Sequence, residues 1–326
     1  MATFYDLAAA NRRKSLLLVG IVVLILVAFA TSAGLAFTGS VNGAFPFAFV
    51  SFGVGFLLTL GAWFGGDRAV LAAAGAKPLD PSAGAEELQL DNIIEELSIA
   101  ANIPKPKVYL IDDTALNAFA TGRDPQHASI AVTKGLAAKL DREEMSGVIA
   151  HELSHVRNFD IRYSLLVAAL VGSLALLSDL LLRFTFYGGG TRRRSDDDRS
   201  SGGIQIIFFV LTIVLAILAP IAARMVQLAV SRQREYLADA SGVELTRNPI
   251  GLERALAKLA GDKEVLEVAT KATAHLYIVN PVKSFESRAA GFLATHPPLA
   301  DRINRLRTLR GAQPITEHES IEPLQR

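Results

Sequence analysis

The stretch Val148-Ile149-Ala150-His151-Glu152-Leu153-Ser154-His155 decides how this 326-residue sequence must fold. Residues four apart lie on one face of an α-helix, so His151 and His155 can present imidazole nitrogens to a single metal ion. Glu152 lies beside the pair, where a carboxylate can act as general base towards the water that a catalytic zinc ion activates. The residues before His151 are apolar, which favours a buried helix.

A third metal ligand must come from elsewhere, because a catalytic zinc site needs three protein ligands and an open fourth position. Asn158 and Ile161 stand where one class of zinc protease has glycine and a third histidine. The best candidate run is Ser231–Asp239, in which Glu235 and Asp239 are four apart and share a helix face. One can bind the metal while the other hydrogen-bonds a ligand histidine. Taken alone, the run fits a solvated charged helix equally well.

Long uncharged segments predict membrane spans. No charged residue occurs between Ser15 and Gly66, and a bilayer needs about 20 apolar residues per helix. This first segment is too long for a signal-peptide core and holds two such helices, which disfavours a cleaved signal. With two later runs, the four predicted hydrophobic helices are Ser15–Phe37, Ala44–Phe64, Ser164–Leu182 and Ile204–Ala223.

The distances from these spans favour the run at Glu235 as part of a metal site. His155 lies nine residues before Ser164, and Glu235 lies eleven residues after Arg224. At 1.5 Å per residue, these offsets are about 14 Å and about 16 Å if both helices continue unbroken. The imidazoles and the carboxylate would then lie at nearly the same depth below the membrane.

The distribution of basic residues predicts the orientation. Arg12–Lys14 precede the first span and the loop after it carries no charge, which places the N-terminus in the cytoplasm. Four arginines in the third loop oppose this orientation. The predicted segments are a helix pair (1–66), the first part of a cytoplasmic protease domain (67–163), a second hairpin (164–223, with the charged loop 184–203) and the second part of the domain (224–326).

The remaining composition narrows the function. A net charge of +1 gives no basic surplus for binding nucleic acid, and the lack of cysteine excludes thiolate metal sites.

In the soluble part we expect a helix over 86–101 and strands over 107–111, 119–122 and 128–132. The predicted fold class is a mainly α membrane protein: four hydrophobic helices plus a cytoplasmic α+β metalloprotease domain with a small antiparallel sheet. His296 is expected to cap or pack against the helix that follows it rather than to bind metal.

Several stretches in order resemble the HtpX-type membrane zinc metalloproteases. Besides the two N-terminal spans and the His151–His155 motif, they are Gly75–Pro78, Asn117–Gly122, Arg234–Asp239 and Thr295–Leu299. The resemblance implies a multi-pass endoprotease of the cytoplasmic membrane that degrades misfolded membrane proteins, with its active site facing the cytoplasm.

The same resemblance implies roles for individual residues. The ligands of one Zn²⁺ per chain fall on His151, His155 and Glu235, and the catalytic glutamate falls on Glu152. Asp239 matches an acid that hydrogen-bonds a ligand. The segment Asn117–Gly122 matches an edge strand that pairs with the substrate backbone.

Two other functions stay open at this point. A prenyl-protein processing protease would share the zinc chemistry, but the small number of spans disfavours it. A non-proteolytic metal-binding scaffold or transporter component would need polar groups within the spans. Only Asp179 and Arg183 qualify, and they lie near one end of a span.

Overall fold

The structure, a computed structural model, describes residues 4–165, 179, 202–262, 264, 266, 277–278 and 297–315. The chain forms two compact units. Unit 1 comprises Met1–Trp63 and Leu166–Gln227, and unit 2 comprises Phe64–Leu165 and Leu228–Arg326. The four-segment division by membrane position stays a prediction, because these units are defined by packing alone.

Unit 1 is helical in its described residues. Helix α1 spans Phe4–Thr38, α2 begins at Val41 and continues into unit 2 to Ala73, and α6 (Gly202–Thr246) likewise crosses the boundary. A Cβ on Gly34 would lie 2.7 Å from the Cα of Ala44, so only glycine permits this approach of α1 and α2. The hydroxyl groups of Ser32 and Thr212 lie 2.8 Å apart and join α1 to α6.

None of the helices in the described residues is both long enough and apolar enough to qualify as a membrane span. The expectation of four hydrophobic spans is therefore unconfirmed. Apart from residues 164–165 and 179, the third predicted span (164–182) lies outside the described residues. The charged loop 184–203 also lies outside the described residues, except for residues 202–203.

Unit 2 places helices against both faces of a four-stranded sheet: the end of α2 packs on one face through Leu71, and the other helices lie on the opposite face. Its helices besides the ends of α2 and α6 are α3 (Ala85–Ala101), α4 (Lys134–Lys139), α5 (Arg142–Arg157), α7 (Pro249–Gly261) and α8 (Leu299–Leu309). Its strands are β1 (Lys77–Pro78), β2 (Lys107–Ile111), β3 (Ala118–Gly122) and β4 (Ala128–Thr133). The main core lies between α3, α5, α7, α8 and the sheet.

The sheet is mixed, and the prediction of an antiparallel sheet is wrong. The strand order is β1-β2-β4-β3, with β2 and β4 parallel and the other two pairs antiparallel. The loop after β2 reverses the chain and sends β3 to the outer edge, so that β4 returns between them in the direction of β2. Hydrophobic alternation predicts which residues form strands but not the direction in which neighbouring strands run.

Helix α5 is held at its start and buried along most of its length. The Asp141 side chain accepts the N–H of Glu144 and the Glu144 side chain accepts the N–H of Asp141, both at 2.9 Å, which forms a capping box. All residues from Gly147 to Ser154 are buried. The capping box fixes where the helix begins, and core packing fixes its rotation. Together they determine the direction in which the histidine side chains point.

Close packing of α5 on α7 generates a stability prediction. A Cβ on Gly147 would lie 2.5 Å from the backbone nitrogen of Leu252, which cannot move without shifting α7. We expect Gly147→Ala to destabilise the protein by about 1–3 kcal/mol, because overpacking outweighs the gain in helix propensity. Gly65→Ala in α2 is the matched control, since nothing lies within 4 Å of its Cβ. Thermal unfolding followed by circular dichroism measures both, and an equal melting temperature for the two variants would contradict the close contact.

Candidate metal centre

Two helices supply the side chains of the site. Helix α5 carries His151, Glu152 and His155, and α6 carries Glu235 and Asp239 one turn apart. His151 and Glu152 are 1% and 2% exposed. Helix α6 can pack against α5 here because its Gly242 has no side chain: a Cβ at this position would lie 3.1 Å from the backbone nitrogen of His151.

Three ligand-type atoms converge between these helices. The Nε2 atoms of His151 and His155 are 3.3 Å apart. The Glu235 carboxylate places Oε2 3.6 Å from Nε2 of His151 and Oε1 3.5 Å from Nε2 of His155. One such atom from each residue lies within 4.8 Å of the others, a spacing that could hold one metal ion.

Carboxylates on the far side of each imidazole fix the ring orientation. Asp239 Oδ1 lies 2.9 Å from Nδ1 of His151, and Asp160 Oδ2 lies 3.1 Å from Nδ1 of His155. With each Nδ1 engaged as a donor, each Nε2 is left to act as a ligand, as in most protein metal sites. Asp160 did not emerge from the sequence, although an acid five residues after His155 could have indicated it.

The site has a strong negative field. Burial opposes a charge on His155, but the carboxylates of Asp160 and Glu235 outweigh it and raise the pKa of His155 to about 10. Burial raises the pKa of Glu152 above its usual range. The field that favours a cation at the imidazole nitrogens also favours a divalent metal ion at their point of convergence.

The charge balance of the buried groups fits a divalent cation. When both imidazoles are neutral, as metal ligands must be, the four carboxylates and two guanidinium groups around them leave two negative charges in excess if all four carboxylates are ionised. A divalent ion would neutralise that excess. These groups are Glu152, Asp160, Glu235, Asp239, Arg234 and Arg302.

Arg302 on α8 is a second group of the site that the sequence did not predict. Its side chain is fully buried and binds Asp239 through two hydrogen bonds, Nε to Oδ2 at 2.9 Å and Nη2 to Oδ1 at 2.7 Å. Its Nη1 lies 3.4 Å from Glu235 Oε2. Burial disfavours a charge on Asp239, yet Arg302 and His151 overcome this and lower the pKa of Asp239 to about 2. The signal available in the sequence was a charged residue on the apolar face of α8, beside Ile303 and in line with Leu306.

Arg234 pairs with a carboxylate on the other side of the site, as Arg302 does with Asp239. Its Nη1 lies 3.5 Å from Asp160 Oδ1, and its guanidinium group stacks over the Tyr163 ring at 4.1 Å. Arg234 is thus the charge partner of the carboxylate that orients His155. The site is therefore flanked by one buried arginine behind each histidine.

The other histidines do not join this cluster within the described residues. His127 contacts Asp124 and Arg123 at the end of β3. His296, for which we predicted a capping or packing role, lies outside the described residues.

The sheet edge also reaches the site. Strand β3 is the outer strand of the sheet, and the backbone of Ala120 hydrogen-bonds the carboxylate of Glu152. The edge strand therefore passes directly beside the proposed general base, which is where an extended chain would have to lie to reach it.

Comparison with known proteins gives a consistent result. The model of peptidase family M48 matches residues 84–310. A "Protease HtpX homolog" of Streptococcus mutans is 45% identical over 302 residues, covering 93% of this chain and 98% of that protein. Another of the same name, from Thermoanaerobacter pseudethanolicus, is 41% identical and covers 94% and 98%. The crystal structure of S. mikatae Ste24p aligns with a TM-score of 0.49 and 21% identity, over 93% of this chain and 67% of that one.

The burial of Arg302 generates a second stability prediction. Arg302→Leu would leave Asp239 buried without its charge partner, and we expect a loss of about 3–5 kcal/mol. Arg305→Leu on the same helix is the matched control, because Arg305 is exposed and only stacks over the Tyr236 ring, which is worth about 0.5–1 kcal/mol. Chemical denaturation compares the two. Equal losses would mean that Arg302 does not hold Asp239.

Proposed function

Because this chain belongs to peptidase family M48 and is a metalloprotease, we propose that His151, His155 and Glu235 hold one catalytic Zn²⁺ ion. The observation that carries this proposal is the convergence of both Nε2 atoms and the Glu235 carboxylate at one point. Two imidazoles and one carboxylate suit zinc and leave a fourth position open. When bound, zinc supplies a Lewis acid that polarises the peptide carbonyl and lowers the pKa of water.

Glu152 is the proposed general base. A carboxylate with a raised pKa is a better proton acceptor near neutral pH than an exposed one, and burial produces that rise here. Glu152 takes a proton from the attacking water and later gives it to the amide nitrogen that leaves. The backbone of Ala120 favours the charged form of this carboxylate.

Strand β3 is the proposed binding edge for the substrate. An extended peptide that adds a strand to β3 would be recognised through its backbone, which suits unfolded polypeptides of varied sequence. Because β3 passes beside Glu152, a peptide bound there would present a carbonyl group to the site. Unfolded membrane proteins are the substrate class that we propose.

The proposed location is the cytoplasmic membrane, with several spans and the active site facing the cytoplasm. The uncharged segment Ser15–Gly66 and the basic run Arg12–Lys14 support it. Large apolar side chains on the outside of unit 1 support it too, since soluble surfaces rarely expose so many. They include Leu17, Leu24, Phe45, Phe49, Phe52, Phe56 and Leu57.

A pair of glutamate substitutions tests the chemistry. Glu152→Gln should lower kcat/KM on casein by about 10²- to 10⁴-fold and retain zinc, because it removes the base and no ligand. Glu235→Gln should lose both activity and zinc. Zinc per chain is measured by mass spectrometry, and Glu143→Gln is the control because it alters an exposed carboxylate of the same helix. Full activity of Glu152→Gln, or full zinc content of Glu235→Gln, would overturn the corresponding assignment.

Cysteine labelling tests the orientation, since the chain contains no cysteine of its own. Ser82→Cys in unit 2 and Ser40→Cys in the turn between α1 and α2 are both exposed positions. In cells whose cytoplasmic membrane is intact and accessible from outside, an impermeant maleimide should label Ser40→Cys at once. It should label Ser82→Cys only after the membrane is permeabilised. Labelling of Ser82→Cys in intact cells would refute a cytoplasmic active site.

A further inference from the structure

The chain makes a sharp break directly after the helix that carries both histidines. Helix α5 ends at Arg157, with Asn158 as its C-cap residue, and a new helical stretch runs over residues 160–165. Between the two, Phe159 has a φ of +61°, in the left-handed region. Glycine or asparagine usually occupies such a position after a helix, because a larger side chain crowds its own backbone there. A phenylalanine in this conformation is therefore strained.

Burial of the ring does not compensate for the strain. Phe159 is 38% exposed, so much of its apolar surface is not packed against the protein. The guanidinium group of Arg162 lies over the ring at 4.9 Å, and Nε of Arg162 donates to the carbonyl of Arg123 at 2.7 Å. Strained residues of this kind cluster at functional sites, and the next residue in the chain, Asp160, belongs to the metal centre.

The break allows Asp160 to reach His155. On a straight α-helix, residues five apart point in directions about 140° apart, because each residue turns the helix by about 100°. On an unbroken continuation of α5, Asp160 would therefore point away from His155. In the structure its Oδ2 lies 3.1 Å from Nδ1 of His155, and its Oδ1 lies 3.5 Å from Nη1 of Arg234. The turn through Phe159 lies between the two side chains and provides the change in direction.

Backbone hydrogen bonds fix the turn on both sides. The N–H of Phe159 donates to the carbonyl of Val156 at 3.1 Å, which closes α5 with a tight 3₁₀-type turn. The carbonyl of Phe159 accepts the N–H of Tyr163 at 3.4 Å and so begins the next helical stretch. Phe159 thus joins the end of one helix directly to the start of the next, and its φ sets the direction in which Asp160 leaves α5.

We infer that Phe159 is a positioning residue for the metal centre, because its left-handed turn places the Asp160 carboxylate on His155. The inference deepens the proposed function and rests on it in one respect, since His155 is a proposed zinc ligand. A carboxylate that orients a ligand histidine contributes about 10- to 100-fold to metal affinity. The site requires the conformation of Phe159 rather than its apolar ring. A residue that readily adopts a positive φ should therefore replace it, and one that resists a positive φ should not.

Two substitutions with opposite properties test this inference. Phe159→Ile keeps a large apolar side chain but branches at Cβ and resists the left-handed region, whereas Phe159→Asn loses the ring and accepts that region readily. We expect Phe159→Ile to weaken zinc affinity by about 10- to 100-fold, as Asp160→Ala should, and Phe159→Asn to keep the wild-type affinity. Zinc Kd is measured by competition with a chelator of known affinity. Equal affinities for the two variants at position 159, or the reverse order, would overturn the inference.

Arg247→Ile is the matched control for strain at the end of a helix. Arg247 is exposed, follows α6 directly and has a left-handed φ of +53°. Arg247→Ile should lose stability as Phe159→Ile does but keep its zinc affinity, because the next residue, Asn248, caps α7 and is not part of the metal centre. An equal loss of zinc affinity in Arg247→Ile and Phe159→Ile would overturn the inference.

A milder pair decides the matter if Phe159→Ile does not fold. Phe159→Gly and Phe159→Ala both lack the ring and differ only in the Cβ that resists a positive φ. Phe159→Gly should bind zinc more tightly than Phe159→Ala. The opposite order or equal affinities would count against the positioning role.

A double-mutant cycle separates this inference from the proposed zinc chemistry. Phe159→Ile, Asp160→Ala and the double variant are unfolded chemically in EDTA, and their free energies of unfolding are compared with that of the wild type. Phe159→Ile should cost less in the Asp160→Ala background, because the turn can relax once it has no carboxylate to place. This coupling needs no metal, so it supports the turn even if the wild-type protein bound no zinc, in which case only the proposed metal centre fails. Fully additive losses would overturn the inference.

Discussion

A carboxylate buried away from water needs positive or hydrogen-bonding partners, and Asp239 has two: the imidazole of His151 and the guanidinium group of Arg302. These contacts bring together three helices that are far apart in the sequence, α5, α6 and α8. Without Arg302, Asp239 would be an unpaired buried charge, and without Asp239 the Nδ1 of His151 would lose its acceptor. The position of the imidazole, and with it the shape of the proposed metal site, depends on this one shared carboxylate.

The second histidine is supported by an independent set of contacts. Asp160 orients His155 and is in turn bound by Arg234, which precedes the Glu235 carboxylate in α6. The two arginines therefore compensate the two orienting carboxylates, and the charge left for a metal ion comes from Glu152 and Glu235. This division explains how so many ionisable groups can be buried together: each orienting carboxylate has its own arginine, and the two remaining carboxylates would match the proposed divalent cation.

The sequence allowed the helical part of the site to be predicted but not its surroundings. The four-residue spacing of His151 and His155 is a property of any α-helix, so their common face follows from local geometry. Glu235 came from a second local pattern and from the family resemblance. Asp160 and Arg302 were missed because their roles depend on tertiary contacts with side chains of other elements. For the same reason the parallel pairing of β2 with β4 was not foreseen, since strand direction depends on chain connection rather than on residue pattern.

The order of the site residues along the chain has a consequence for biosynthesis. His151 and His155 emerge from the ribosome first, the Glu235 carboxylate follows after a long intervening segment, and Arg302 comes near the C-terminus. A nascent polypeptide that ends before α8 has its histidines but not the arginine that compensates Asp239. The proposed metal centre cannot be complete before α8 has been synthesised, so the order of these elements along the chain delays the onset of hydrolysis during synthesis.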